Sequence, residues 1–390
     1  MSLSERSERA ILPTYPERRR ALVRGAGCTV WDDEGRAFLD MVAGLAVCSL
    51  GHGHPVAAQA LAEQAATLGH VSNLFYSEPQ VALAERLCSL SGFEQAFFCN
   101  SGAEAVEAAI KLARRAGGAG KHEIICLEGA FHGRTLATLA AGWSEAKREP
   151  FRPVPGGFSH VPRNDADALR AAVTGSTAAV LIEPVQGEGG VWPIDHGYLQ
   201  LARELCDVHG ALLLYDEVQA GIGRCGRWFA FELSGVRPDA IALAKGLAGG
   251  LPIGALLAHG GFERGDHATT FGGSPPIAAA ALAVLTAIER EQLVENAETM
   301  GARLREQVAA LDGVDSVRGA GLLLGVELDG TPSATVAEAL AADGVLVNPI
   351  TATALRLCPP LCLSAHDVEH FCRALESALA RCRGITVSTR

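Results

Sequence analysis

Two side chains of this sequence could do chemistry together, Asp216 and Lys245. Lys245 follows the apolar run Ala240-Ile241-Ala242-Leu243-Ala244 and precedes Gly246. Such a run reads as a buried strand ending in a turn. Burial disfavours an ammonium, so an amine delivered there becomes a neutral nucleophile able to form a Schiff base. The plainer reading is a lysine that opens a surface loop. Asp216 shifts the balance, because Leu212-Leu213-Leu214-Tyr215 is a second apolar strand and ends in that acid. A carboxylate and an amine on neighbouring strand ends suit pyridoxal phosphate. The amine holds the aldehyde carbon, and the acid keeps the pyridine nitrogen protonated so that the ring can take up electrons.

Further strands frame this pair. Gln95-Ala96-Phe97-Phe98-Cys99 reads as a strand, and Asn100-Ser101-Gly102-Ala103-Glu104 turns it into a helix ending near Ala116. A glycine turn at a helix start offers free N–H groups and a positive dipole end, which suits a phosphate; ordinary helix caps look alike. Glu123–Cys126 and Ala178–Ile182 read as strands, followed by loops that carry Arg134 and Glu188, and a helix from Tyr198 to His209 precedes the Asp216 strand. Strand and helix in alternation predict an α/β fold with a largely parallel sheet covered on both faces. Ligands of such sheets sit at the carboxyl ends of the strands, where Ser101, Arg134, Glu188, Asp216 and Lys245 all fall.

The ends of the chain read differently. Residues 1 to about 30 form a charged lead-in with the cluster Arg18-Arg19-Arg20, which reads as a solvated face, and Thr29–Asp40 reads as a hairpin. His52 and His54 invite a metal, but no carboxylate or third histidine stands at ligand spacing, so Leu50–Pro55 reads as a tight turn. Helices are expected over Val56–Thr67 and Pro79–Leu90, with an ordered loop at His70–Ser77. After Pro275 an alanine-rich helix is expected from Ile277 to Leu311, then strands near Val314–Val317, Leu322–Leu328 and Leu355–Leu357, with helices over Ala334–Asp343 and Ala365–Arg383. The expected division is an N-terminal segment (1–50) packing with the small domain, a large domain (51–275) and a smaller α+β domain (276–390).

Bulk properties exclude several classes. A chain of 390 residues with 48% apolar and 20% charged residues is a soluble globular protein, and a net charge of −11 argues against a nucleic-acid binder. The start shows no signal-peptide pattern and no apolar run reaches the length of a membrane span. The 11 cysteines form no CxxC pair, and they read as reduced thiols of a cytoplasmic protein, neither a disulfide framework nor a zinc site. Cys358 and Cys362 read as core packing.

The motifs around these residues, with His70-Val71-Ser72-Asn73-Leu74-Phe75-Tyr76, Phe131-His132-Gly133-Arg134-Thr135, Glu183-Pro184-Val185-Gln186-Gly187-Glu188-Gly189-Gly190 and Asp216-Glu217-Val218-Gln219, resemble the class III, fold-type I pyridoxal-phosphate aminotransferases, and within them the acetylornithine aminotransferase group. The resemblance runs from Trp31 to about Pro360. It implies a homodimer with shared active sites. It implies that Lys245 binds the cofactor and moves the proton, that Asp216 pairs with the pyridinium, and that Phe131 stacks on the ring. Ser101, Gly102 and Ala103 would cradle the phosphate, Gln219 would meet the phenolic oxygen, and Thr270 would reach the phosphate of the neighbouring subunit. Arg356 would hold the α-carboxylate of glutamate or 2-oxoglutarate. Arg134 would hold glutamate's distal carboxylate and the α-carboxylate of an ω-amino donor, since planar guanidinium binds carboxylate bidentately. When the ω-amine reacts, Arg356 needs another anion, and Glu188 would supply it. Val106, Cys225, Ser274 and Pro276 depart from the family pattern without removing a catalytic group.

The activity implied is transfer of the δ-amino group of N2-acetylornithine to 2-oxoglutarate. Alternatives are a transaminase for succinylornithine, ornithine or 4-aminobutyrate, or a pyridoxal-phosphate decarboxylase, racemase or mutase. A nicotinamide-binding protein predicts a GxGxxG turn after the first strand, and none stands there.

Overall fold

The computed structural model describes residues 3–16 and 20–384; Arg18 and Arg19 of the basic cluster lie outside the described residues. Seven strands form the large sheet, in the spatial order Gln95–Cys99, Gly254–Ala258, Ala240–Leu243, Leu212–Asp216, Thr177–Ile182, Glu123–Leu127, Phe158–Val161. All run parallel except Gly254–Ala258, which is antiparallel to both neighbours.

Strand alternation divides the core. Ile124, Cys126, Leu181, Leu214, Ala240 and Ala242 face the helix Gly102–Gly117, which buries Ala105, Val106, Ala109, Ile110, Leu112 and Ala113 against them. Their neighbours Ile125, Leu127, Val180, Ile182, Leu213, Tyr215 and Ile241 face the opposite side, where Tyr198, Leu199, Ala202 and Cys206 of the helix His196–His209 pack. A period of two on the strands thus meets a period near 3.6 on each helix, and both sheet faces are dry.

Most expected elements are present within a few residues. Four differences stand out. The expected single helix from Ile277 to Leu311 is two helices, Pro275–Arg290 and Leu293–Ala309, because Gln292 between them adopts a left-handed φ of 54°. The charged lead-in contains a helix, Leu3–Ala10, and a strand, Leu22–Ala26. The strands Phe158–Val161 and Gly254–Ala258 were not anticipated, since Phe158-Ser159-His160-Val161 is short and mixed and Gly254 opens the other. Spacing also failed to show that His52 meets a carboxylate; its Nε2 lies 2.7 Å from Asp40 Oδ2.

A four-stranded sheet, Leu22–Ala26, Thr29–Asp32, Ala37–Asp40 and Val345–Leu346, joins the chain's beginning to its last third. A second, Val314–Ala320, Leu323–Leu328, Ala354–Leu357 and Asn348–Pro349, carries Arg356. Two of the sequence departures fall at the start of the helix Pro275–Arg290: Ser274 stands at its N-cap position without a side-chain capping bond, and Pro276 sits in its first turn, where no amide partner is lost.

Gly301 lies in the helix Leu293–Ala309 with the Gly321 backbone pressed against its α-carbon; a Cβ there would strike the Gly321 carbonyl. Glycine to alanine inside a helix ordinarily stabilises by about 0.4–1 kcal/mol. Here Gly301→Ala is expected to destabilise by about 1–3 kcal/mol through overpacking, read as a lower midpoint in urea unfolding.

Candidate active site

Because the strands that matter run parallel, their carboxyl ends open on one edge of the sheet. Asp216 closes one strand and pairs in register with Ala242 of the next, so Lys245 emerges just beyond it. Lys245 itself has a φ of 37°, in the left-handed region that non-glycine residues rarely occupy. Such strain persists only where surroundings over-determine it. The turn is pinned below by Ser49 Oγ, which donates to the Gly246 carbonyl at 2.8 Å.

A cavity of about 470 Å³ lies on this edge, lined by Ser101, Gly102, Ala103, Phe131, Arg134, Glu188, Asp216, Gln219 and Lys245, and also by His132 and Glu183. Nine of the anticipated residues therefore converge. Arg356 lies behind Glu188 and Gln219 and touches both. Thr270 is exposed, outside the cavity.

Each side chain is held by a neighbour. Asp216 is 5% exposed. Its Oδ2 meets His132 Nδ1 at 2.9 Å, and its Oδ1 accepts from Val218 N at 3.0 Å. Burial works against a charged His132, but the Asp216 hydrogen bond and charge outweigh it and raise the imidazole's pKa. Glu183 Oε1 accepts from Phe131 N at 2.8 Å and Oε2 from Gly187 N at 3.4 Å, which ties the Phe131 loop to the loop carrying Glu188. Burial, reinforced by Asp216 and opposed by His132, pushes the Glu183 carboxyl up to about 7. Burial, then the Arg356 charge, pushes the Lys245 amine below its ordinary range, against Asp216, Glu188 and Glu183. That is the direction a nucleophilic amine requires.

Arg356 is 1% exposed and has three bonds: Nη1 to Glu188 Oε1 at 2.7 Å, Nη1 to Gln219 Oε1 at 3.2 Å, and Nη2 to Asn348 Oδ1 at 2.7 Å. Burial alone would raise the Glu188 carboxyl, yet the Arg356 charge and hydrogen bond hold it below the usual carboxylate range. The Arg356 bond also fixes the Gln219 amide. Its oxygen must face the guanidinium, which leaves Nε2 a buried donor with no protein partner.

At the far wall the helix Gly102–Gly117 begins. Ser101 caps it, its Oγ accepting from Glu104 N at 3.3 Å, and Asn100 N donates to Glu104 Oε2 at 2.8 Å. A Cβ at Gly102 would lie 2.6 Å from Val218 Cγ1, so only glycine lets this helix start pack onto the turn after Asp216. Arg134 and Lys147 both lie against the Phe131 ring, at 5.6 and 5.0 Å from its centre.

Sequence reading did not assign His132, Glu183, Asn348 or Lys147. His132 and Glu183 stood inside the quoted motifs, and their signal was a polar residue beside a strand end. Asn348 and Lys147 gave none; folding alone brings them in.

A buried amine of lowered pKa, a buried acid, an unpartnered amide donor and a helix start around one cavity fit pyridoxal 5′-phosphate, and with the family match they mark a pyridoxal-phosphate-dependent transaminase. The chain belongs to the aminotransferase class-III family, whose model matches residues 14–379. It is 47% identical to an acetylornithine aminotransferase of Gloeobacter violaceus over 98% of each chain. Among solved structures it resembles an N-acetylornithine aminotransferase of Stenotrophomonas maltophilia (TM-score 0.85, 38% identity, 98% of this chain and 100% of that one). It also resembles the ornithine aminotransferase of Toxoplasma gondii (TM-score 0.93, 29% identity, 97% and 94%).

Glu217, next to Asp216, is buried and accepts from Ala230 N and Phe231 N at 2.5 and 2.8 Å. Burial pushes its carboxyl from 4.5 up to about 8. A raised acid favours folding while protonated, so its contribution is complete below about pH 4.5 and lost as pH climbs through about 8. Glu217→Gln cannot ionise. Its thermal midpoint is expected to fall less than that of the unsubstituted protein between pH 6 and 8, as thermal scans across that range would record.

Proposed function

We propose that this transaminase moves the δ-amino group of N2-acetylornithine to 2-oxoglutarate, giving N-acetylglutamate 5-semialdehyde and L-glutamate in arginine biosynthesis. The observation that carries this reading is the Arg356–Glu188 pair at 2.7 Å. A reaction that alternates an ω-amine with glutamate needs a guanidinium exposed to substrate in one half and neutralised in the other, and a glutamate at the cavity wall can do both. The acetylornithine aminotransferases at 45–47% identity over nearly the whole chain support the same choice.

Pyridoxal phosphate supplies an aldehyde and an electron sink when bound. In this reading Lys245 Nζ, whose pKa burial and the Arg356 charge lower, would be the nucleophile and afterwards the base that carries the substrate's proton. Asp216, steadied by His132, is the anion for the pyridine nitrogen. Gln219 Nε2 is the donor for the phenolic oxygen, the Phe131 face covers the ring, and Ser101, Gly102 and Ala103 hold the phosphate. Arg134 takes the α-carboxylate of the ω-amino donor and the distal carboxylate of glutamate. Arg356 takes the α-carboxylate of glutamate or 2-oxoglutarate once Glu188 moves aside.

We also infer a cytoplasmic homodimer with shared sites. Leu74, Phe75, Tyr76 and Phe271 are 84%, 68%, 98% and 62% exposed, and Asn73 Nδ2 ties their loops together by donating to Thr269 O at 3.0 Å. An apolar patch of this kind marks a protein contact, and Thr270 lies within it, where it would serve a neighbouring phosphate. Among the described residues, no helix is long and apolar enough to cross a membrane. The proposed units are 1–50 with the small domain, 51–275 and 276–390. The parallel pairing of Ala37–Asp40 with Val345–Leu346 supports the first grouping.

A panel of ω-amino donors assayed with 2-oxoglutarate tests the substrate. N2-acetylornithine is expected to exceed succinylornithine, ornithine and 4-aminobutyrate in kcat/KM by about tenfold or more, and preference for another donor overturns the choice. Glu188→Gln is expected to raise the ratio of glutamate to ω-amine kcat/KM by roughly 5–50-fold, while an unchanged ratio rejects the switch. Sedimentation should give a two-chain particle that Tyr76→Asp with Phe271→Asp splits.

A further inference from the structure

Cys28 and Cys362 are separated by 334 residues in sequence, and their sulfurs lie 3.8 Å apart as free thiols sharing a hydrogen bond. Cys28 is 8% exposed, whereas Cys362 is only partly buried. The two lie on different walls of one seam. Cys28 lies in the turn between the strands Leu22–Ala26 and Thr29–Asp32, next to Gly27, which is bridged to His52. Cys362 follows the strand that carries Arg356. Two backbone bonds already close the seam beside them, Cys358 N to Met41 O at 2.9 Å and Leu361 N to Ser49 O at 2.8 Å. Ser49 in turn supports the Lys245 turn through Gly246.

We propose that Cys28 and Cys362 are a dithiol oxidation site, at which a low-molecular-weight disulfide converts the pair to an internal disulfide that staples the N-terminal segment to the end of the Arg356 strand. The Cys362 thiolate attacks one sulfur of the small disulfide, forming a mixed disulfide and releasing one small thiolate. The Cys28 thiol then gives up its proton and attacks the Cys362 sulfur, forming the internal bond and releasing the second small thiol. Two electrons pass from the protein sulfurs to the small disulfide, which leaves as two thiols.

The environment supports this division of roles. The Cys28 hydrogen bond, acting against burial, lowers the Cys362 thiol, and the same bond together with burial raises Cys28. Exposure separates the roles: a small disulfide reaches the partly buried Cys362 sulfur first, and the buried Cys28 is the resolving thiol. Burial, by contrast, raises the thiols of Cys88, Cys99, Cys126, Cys206, Cys225, Cys358 and Cys372.

The test incubates the folded, cofactor-loaded enzyme with glutathione disulfide, then alkylates it and maps peptides without reduction. A Cys28–Cys362 cross-link is expected, with two fewer alkylatable thiols and a thermal midpoint raised by at least about 3 °C, both reversed by dithiothreitol. Cys28→Ser is expected to stop at a glutathione adduct on Cys362, and Cys362→Ser to show neither product. Both variants are first checked for cofactor absorbance to confirm folding, and Cys28→Ala replaces Cys28→Ser if the latter fails. A wild-type enzyme in which Cys362 stays unmodified while other cysteines react overturns the proposal, as does a cross-link to a different cysteine.

Discussion

An amine forced out of water beside a buried carboxylate is the constraint on which the other features of the site depend. Lys245 must lose its proton to act, and burial with the Arg356 charge drives it that way. Asp216 lines the same cavity, hydrogen-bonded to His132 through Oδ2 and accepting from Val218 N through Oδ1. Bringing a buried amine and a buried acid to one cavity needs rigid walls. The parallel strands provide them, since their carboxyl ends are fixed in register by a backbone ladder that no side chain can shift.

Around that pair the polar groups form a connected chain. Glu183 joins the Phe131 loop to the Gly187 turn, which delivers Glu188 to Arg356, and Arg356 orients Gln219 back toward the cavity. Arg356 is nearly inaccessible, so leaving it without an anion would cost several kcal/mol. Glu188 removes that cost while staying at the cavity wall, where a substrate carboxylate can take its place. In the proposed reaction, specificity for two unlike substrates would reduce to this one ion pair.

Some of the fold was readable because single segments carried it. Ala178–Ile182 and Ala240–Leu243 are apolar at every position, which only a strand covered on both faces tolerates, and Ser101 with Glu104 signals a helix start. The break at Gln292 was not readable, because nothing local demands its left-handed turn. The strand Gly254–Ala258 was hidden by its opening glycine, which is required by the Ser101 backbone lying close against it.

The sequence by itself determined the chemistry-bearing pair, the parallel sheet and the loops that line the cavity, because each rests on a local pattern of apolar runs, glycines and caps. Tertiary structure alone decided which groups complete the site. His132 on Asp216, Asn348 on Arg356 and Cys28 on Cys362 are meetings of residues 84, 8 and 334 positions apart. Their spacing encodes nothing about contact; the sheet order and the return of the chain's end onto its beginning bring them within bonding distance.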